Sequence, residues 1–178
     1  MDVEDSSLIP GVKRITPVVF HDERGEFVET FNVDDYAFAR PDGSPVVFVE
    51  DDMSVSRRHV LRGLHGDDQN YKLLQCLHGD MHLVVADCRR ASPAYLRWEG
   101  YDLSGDERTQ LFVPAGCATG FVALADATIL AYKQSERYLG PGAQFTVRWD
   151  DPAFGIRWPV ERPLLSPRDA TAPDIMTA

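Results

Sequence analysis

Lys72-Leu73-Leu74-Gln75-Cys76-Leu77-His78-Gly79-Asp80-Met81-His82-Leu83-Val84-Val85-Ala86-Asp87-Cys88 holds two β-rich runs, Lys72 to Leu77 and Met81 to Cys88, on either side of a His78-Gly79 break. Short apolar runs bounded by turn formers read as strands. Working outward, Val46 to Glu50, Gln110 to Val113, Thr128 to Lys133 and Phe145 to Trp149 repeat the pattern. Their breakers are Gly43-Ser44-Pro45, Ser92-Pro93, Pro114 and Gly140-Pro141-Gly142. Turn signals every ten or so residues predict an all-β sandwich or barrel. The one stretch of helical period lies near Val33 to Arg40. Beyond Trp149 the chain is Pro-rich and punctuated, which predicts short turns or helices wrapped around the barrel.

With 178 residues, of which 44% are hydrophobic and 26% charged, the chain is expected to fold as a single domain spanning 1–178. The net charge of −10 argues against nonspecific partnership with nucleic acid or an anionic membrane, because both need a broad basic face. An anionic ligand must instead meet a local cluster of arginine and lysine. Cys76, Cys88 and Cys117 are odd in number and lack Cys-x-x-Cys spacing, so free thiols in a reducing cytoplasm are expected. Met1 to Ser7 is acidic rather than signal-like, and no run approaches a membrane span.

The chemistry concentrates in Val60-Leu61-Arg62-Gly63-Leu64-His65-Gly66-Asp67, followed by Lys72. Arg, His and Lys inside otherwise apolar strands exceed what a barrel core needs. Strand alternation puts Arg62 and Leu64 on one face and His65 on the other unless Gly63 introduces a bulge, so spacing leaves open whether Arg62 and His65 share a cavity. His65 alone reads equally as a satisfied structural histidine or as a base. Tyr132 reads either as strand packing or as a phenol that delivers a proton into a cavity. The five histidines, His21, His59, His65, His78 and His82, contain no His-x-His pair, and no metal or other cofactor is expected. With no nucleophile triad, phosphate loop or dinucleotide fingerprint, acid/base chemistry remains.

Asp22-Glu23-Arg24-Gly25-Glu26-Phe27-Val28-Glu29-Thr30-Phe31, Val60 to His65, and Pro114-Ala115-Gly116-Cys117-Ala118-Thr119-Gly120-Phe121 occur in an order that resembles the dTDP-4-dehydrorhamnose 3,5-epimerase family. The likeness continues through Ala131-Tyr132-Lys133, Tyr138, Trp149-Asp150-Asp151-Pro152, Gly155 to Pro159 and Leu165-Ser166-Pro167-Arg168-Asp169, covering roughly residues 9 to 173. The resemblance implies a double-stranded β-helix, the cupin or jelly-roll barrel, with short peripheral helices. It further implies a homodimer in which an N-terminal segment reaches the partner's nucleotide site. His65 would be the base, Asp169 its orienting partner, Tyr132 the acid on the opposite face of the sugar, and Lys72 the cation at the enolate oxygen. Arg24, Phe27 and Glu29 would lie near the base and phosphates, Arg62 at the diphosphate, Tyr138 stacked on the base, and Arg168 at a further phosphate oxygen.

Three departures bear on the substrate. The family's Gln-x-Asn is Glu50-Asp51-Asp52 here, its aspartate after the Gly turn aligns with Leu83, and its Ala-His-Gly-Phe is Ala118-Thr119-Gly120-Phe121. Glu50, Asp52 and Thr119 are therefore expected to contact the sugar or diphosphate differently. His65-Gly66-Asp67 and Gly79 to Val85 are similar to a subgroup that includes epimerases of GDP-4-keto-6-deoxy-heptoses. The expected activity is epimerisation at C3 and/or C5 of a nucleotide-diphosphate 4-keto-6-deoxy sugar in deoxysugar biosynthesis. The alternatives are inversion at a single centre, a non-catalytic nucleotide-sugar-binding cupin, and an isomerase that moves the ketone between C3 and C4.

Overall fold

In the computed structural model, which describes residues 1–177, the two runs flanking His78-Gly79 become β7 (Lys72–His78) and β8 (Asp80–Asp87). They do not pair with each other. Gly79, at φ +75°, turns the chain from one sheet into the next.

The other strands are β1 (Asp2–Asp5), β2 (Lys13–Thr16), β3 (Val19–Asp22), β4 (Gly25–Val28), β5 (Glu50–Ser56), β6 (Leu61–Gly66), β9 (Trp98–Ser104), β10 (Gln110–Val113), β11 (Cys117–Ala123), β12 (Thr128–Gln134) and β13 (Phe145–Thr146). One sheet runs β1-β2-β10-β7-β12-β5 and the other β13-β6-β11-β8-β9, every pairing antiparallel. Together they form a jelly-roll barrel, the double-stranded β-helix expected from the resemblance. The pair β3-β4 stands apart as a hairpin.

Alternation along each strand creates three apolar layers. Between the sheets lie Leu74, Cys76, Met81, Leu83, Val85, Leu111, Val113, Phe121 and Leu130. Outside the first sheet, Tyr36, Phe38 and Val46 cover Tyr71, Leu73 and Phe112. Outside the second, the chain beyond Trp149 lays Phe154, Ile175 and Trp158 over Leu64, Val84 and Ala118. Full burial of each large aliphatic side chain contributes about 1.5–3 kcal/mol.

Three expectations shift. The run from Val46 does not pair until Glu50, because the buried Val46 and half-buried Phe48 pack as a cover on the first sheet before the strand begins. Val33 to Arg40 forms turns rather than a helix: the Asn32 side-chain carbonyl accepts from Asp34 and Asp35 backbone N–H, and Tyr36 and Phe38 are drawn into the cover layer. Phe145 to Trp149 is strand only at Phe145–Thr146, although Val147 and Leu64 still exchange backbone hydrogen bonds. The peripheral helical segments reduce to a 3-10 turn at Pro141–Ala143 and the four-residue α1 (Pro167–Ala170). Cys76 and Cys117 are buried, Cys88 is half-buried, and all three are free thiols.

Candidate active site

One end of the barrel interior is polar and opens into a cavity of about 450 Å³. The question of faces on β6 is resolved by a bulge. Thr119 pairs with His65 and Phe121 with Arg62, so one extra residue on β6 is accommodated between those two pairs. Arg62 and His65 thereby both point into the cavity, while Leu64 turns outward into the cover layer. Gly63 makes this possible. It sits at φ +134°, and a Cβ there would lie 2.4 Å from Gly120 Cα, so no other residue fits.

Asp169 reaches His65 across 104 positions of sequence because the C-terminal wrap pairs with the start of β6. Leu61 N–H donates to the Leu164 carbonyl at 3.0 Å, and Ser166 caps α1 by accepting from Asp169 N–H at 3.1 Å. His65 Nε2 then lies 2.6 Å from Asp169 Oδ1. Burial alone would raise the Asp169 pKa, but hydrogen bonds from His65 and Ser166, with the backbone of Gly63, hold it below the ordinary carboxylate value. An ionised carboxylate only accepts, so Nε2 carries a proton, and in the neutral imidazole the lone pair then lies on Nδ1.

Tyr132 enters the same cavity from β12 in the opposite sheet. Burial, reinforced by the charge of Asp52, its direct cross-strand partner, raises its phenol pKa, so it stays protonated. Lys72 on β7 is buried, and its ammonium makes no hydrogen bond or ion pair among the described residues. Desolvation lowers its pKa to about 8, with Asp67 opposing and Arg168 adding to the fall. The group is therefore a cation aimed into the cavity that remains charged at neutral pH.

Arg62, Thr119, Tyr138 and Arg168 also line the cavity. Glu50 and Asp52 do not; both accept from the amide of the buried Gln134, at 3.2 and 2.6 Å, and Glu50 also takes the Tyr138 N–H. Arg24, Phe27 and Glu29 are exposed on and beside the β3-β4 hairpin and do not line their own chain's cavity. Sequence reasoning missed Ser54, Gln134, Gln144 and Ser166, which do. Ser54 and Gln134 follow the two-residue period from Asp52 and Tyr132 and were findable by it; Gln144, in a loop, carried no signal. The Ser54 hydroxyl is buried with no partner among the described residues, an orphaned donor facing the ligand space.

The jelly-roll barrel thus brings an imidazole, a phenol and an ammonium onto one cavity, a set of groups suited to acid/base chemistry, and the proteins it is similar to are carbohydrate epimerases. The family model for dTDP-4-dehydrorhamnose 3,5-epimerase matches residues 6–177. The dTDP-4-dehydrorhamnose 3,5-epimerase of Salmonella typhimurium is 40% identical over 169 residues, 93% of this chain and 91% of that one. A dTDP-4-dehydrorhamnose 3-epimerase of Streptomyces niveus is 38% identical over 92% of this chain and 79% of its own. The crystal structure of dTDP-6-deoxy-D-glucose-3,5-epimerase from Legionella pneumophila in complex with dTDP-4-keto-L-rhamnose superposes with a TM-score of 0.89 at 36% identity, covering 98% of this chain and 93% of that one. The chain belongs to the dTDP-4-dehydrorhamnose 3,5-epimerase family.

Proposed function

We propose that the protein epimerises C3, C5 or both in a nucleotide-diphosphate 4-keto-6-deoxy sugar, with His65 as base and Tyr132 as acid. The single observation that carries this reading is the convergence of His65, Tyr132 and the unpaired Lys72 on one cavity from both sheets. A C–H bond beside a ketone breaks toward His65 Nδ1, and its electron pair passes to the carbonyl oxygen as an enolate. Lys72 stabilises that charge from a dry site, where the interaction is stronger than in water. Tyr132 then gives its proton to the opposite face of the carbon, and configuration is inverted. The imidazolium and phenolate return to their starting states through solvent.

The nucleotide arm draws on Arg62 and Arg168 for the diphosphate and Tyr138 for the base. Arg24, Phe27 and Glu29 serve the site across a homodimer. This assembly is supported by the exposed apolar side chains of that hairpin, Phe20 and Phe27, and by Met53, Val55 and Leu77 on the outer face of the first sheet. The free thiols fit residence in the cytoplasm.

A second reading, inversion at one centre, is favoured by Leu83 and Thr119. Both line the cavity, and Thr119 directly opposes His65, so apolar and hydroxyl groups stand where the family carries an acid and an imidazole. Incubation with dTDP-, GDP- and CDP-linked 4-keto-6-deoxy sugars in deuterated buffer, read by NMR at each ring carbon, tests both. Deuterium at C3 and C5 supports the first reading and deuterium at one carbon the second. Absence of exchange with every sugar, together with ligand binding that survives His65→Ala, identifies a binding module instead.

A further inference from the structure

Both cavity arginines are held by hydroxyl groups rather than by carboxylates. Arg62 donates through Nε to Ser56 Oγ at 3.0 Å and through Nη2 to the Val55 carbonyl at 3.4 Å. Arg168 donates through Nε and Nη2 to Thr146 Oγ1 at 2.9 and 2.6 Å. Among the described residues neither guanidinium has a carboxylate within ion-pair distance, whereas Arg24, Arg40, Arg89, Arg108 and Arg148 each have one. Among the described residues other arginines, such as Arg57 and Arg97, also lack a carboxylate partner, so what marks this pair is that both line one cavity and both are fixed there by uncharged acceptors.

The anchors belong to the sheet framework. Ser56 is buried on β5 and Thr146 on β13 is the direct cross-strand partner of His65. A hydroxyl oxygen orients a guanidinium less tightly than a bidentate carboxylate does, but leaves its charge whole. Each arginine spends two of its five N–H groups on the anchor and keeps three for a ligand. Thr146 Oγ1 commits its lone pairs to Arg168, so its own O–H remains a donor.

We propose that Ser56 and Thr146 are positioning residues that hold Arg62 and Arg168 as two uncompensated forks for the substrate diphosphate, and that the neutrality of the anchors matters as much as their reach. The proposal rests on the nucleotide-diphosphate reading of the cavity and names the groups that make that subsite work. It predicts that Thr146→Ser, which keeps a neutral acceptor, retains binding that Thr146→Val and Thr146→Asp both lose, a separation that a merely structural role would not produce. Thr146→Val removes the acceptor; Thr146→Asp keeps an acceptor but cancels the charge of Arg168.

The test is calorimetric titration of the full chain with inorganic pyrophosphate, followed by steady-state kinetics on whichever 4-keto sugar the wild type turns over. Thr146→Val and Ser56→Ala should each weaken pyrophosphate binding about tenfold and raise KM with little change in kcat. Thr146→Ser should stay within about twofold of wild type, and Thr146→Asp should lose at least as much affinity as Thr146→Val. Thermal unfolding of each variant shows that the barrel is intact, and the Thr146 set stands by itself if the buried Ser56 variant fails to fold. Equal pyrophosphate affinity in wild type and Thr146→Val, or an aspartate variant that binds as tightly as the serine one, overturns the proposal. A wild type that neither binds pyrophosphate nor exchanges protons overturns the nucleotide reading itself.

Discussion

Lys72 shows most directly how the site exchanges stability for chemistry. Its pKa in the fold, about 8, lies below the 10.5 of a free lysine, so the fold disfavours the cation. Between those two values the unfolded chain holds a proton that the folded one has released. Stability therefore rises with pH across that window, and below it the full cost is present. At pH 7 that cost is of order 3 kcal/mol. Lys72→Met should accordingly unfold at higher urea than wild type while its kcat falls by about a hundredfold or more. A methionine variant that is active, or no more stable, contradicts this role. The same lysine should place an alkaline limb near pH 8 in the kcat/KM profile, which reports the ligand-free enzyme, since the enolate loses its cation as the proton leaves. Tyr132 stays protonated above its ordinary range, so Tyr132→Phe should lose inversion by roughly a hundredfold or more while KM changes little. Retained turnover would remove the phenol from the mechanism.

At the scale of elements, the β6 bulge decides what the cavity contains. Without it, strand alternation turns His65 away from Arg62 and into the cover layer beneath the C-terminal wrap. Gly63→Ala combines a positive φ with a Cβ inside the contact distance of Gly120, and should cost ~3 kcal/mol or more, measured by denaturant unfolding. Any folded fraction should show weakened His65 chemistry because the strand can relax only by shifting register. The second deciding element is the wrap itself, whose pairing of Val60 with Leu164 brings α1 and Asp169 to β6. Strand runs such as Lys72 to Leu77 were legible because both faces of them are apolar or buried. The edge strand β1, its neighbour β2 and the separate hairpin β3-β4, with mostly exposed residues, gave no comparable signal; β1 and β2 owe their place to pairing that extends from β10.

For the whole molecule, the unfinished part of the site points to a second copy. Arg24, Phe27 and Glu29, proposed above as nucleotide contacts, lie outside their own chain's cavity, on and beside a hairpin whose two phenylalanines are exposed. Met53 and Val55 are 66% and 53% exposed on the outer face of β5, a cost that a partner sheet would recover. Met53→Glu should convert a dimer to a monomer in light scattering after size exclusion, and should raise KM more than it lowers kcat. A wild type that runs as a monomer at micromolar concentration with full activity would refute the shared site.

Sequence by itself determined the all-β class, because strand length and turn chemistry are local properties. The succession of motifs from Asp22 to Asp169 likewise carried family membership and nominated His65, Lys72 and Tyr132. Only the tertiary structure decided that Arg62 and His65 share a face, because one extra residue on β6 is invisible without the partner strand β11. It alone added Gln144 to the cavity, and it alone separated Glu50 and Asp52 from the lining by fixing them on Gln134. A cavity is a meeting of residues far apart in the chain, and the distances that define it arise from sheet pairing and packing rather than from spacing along the sequence.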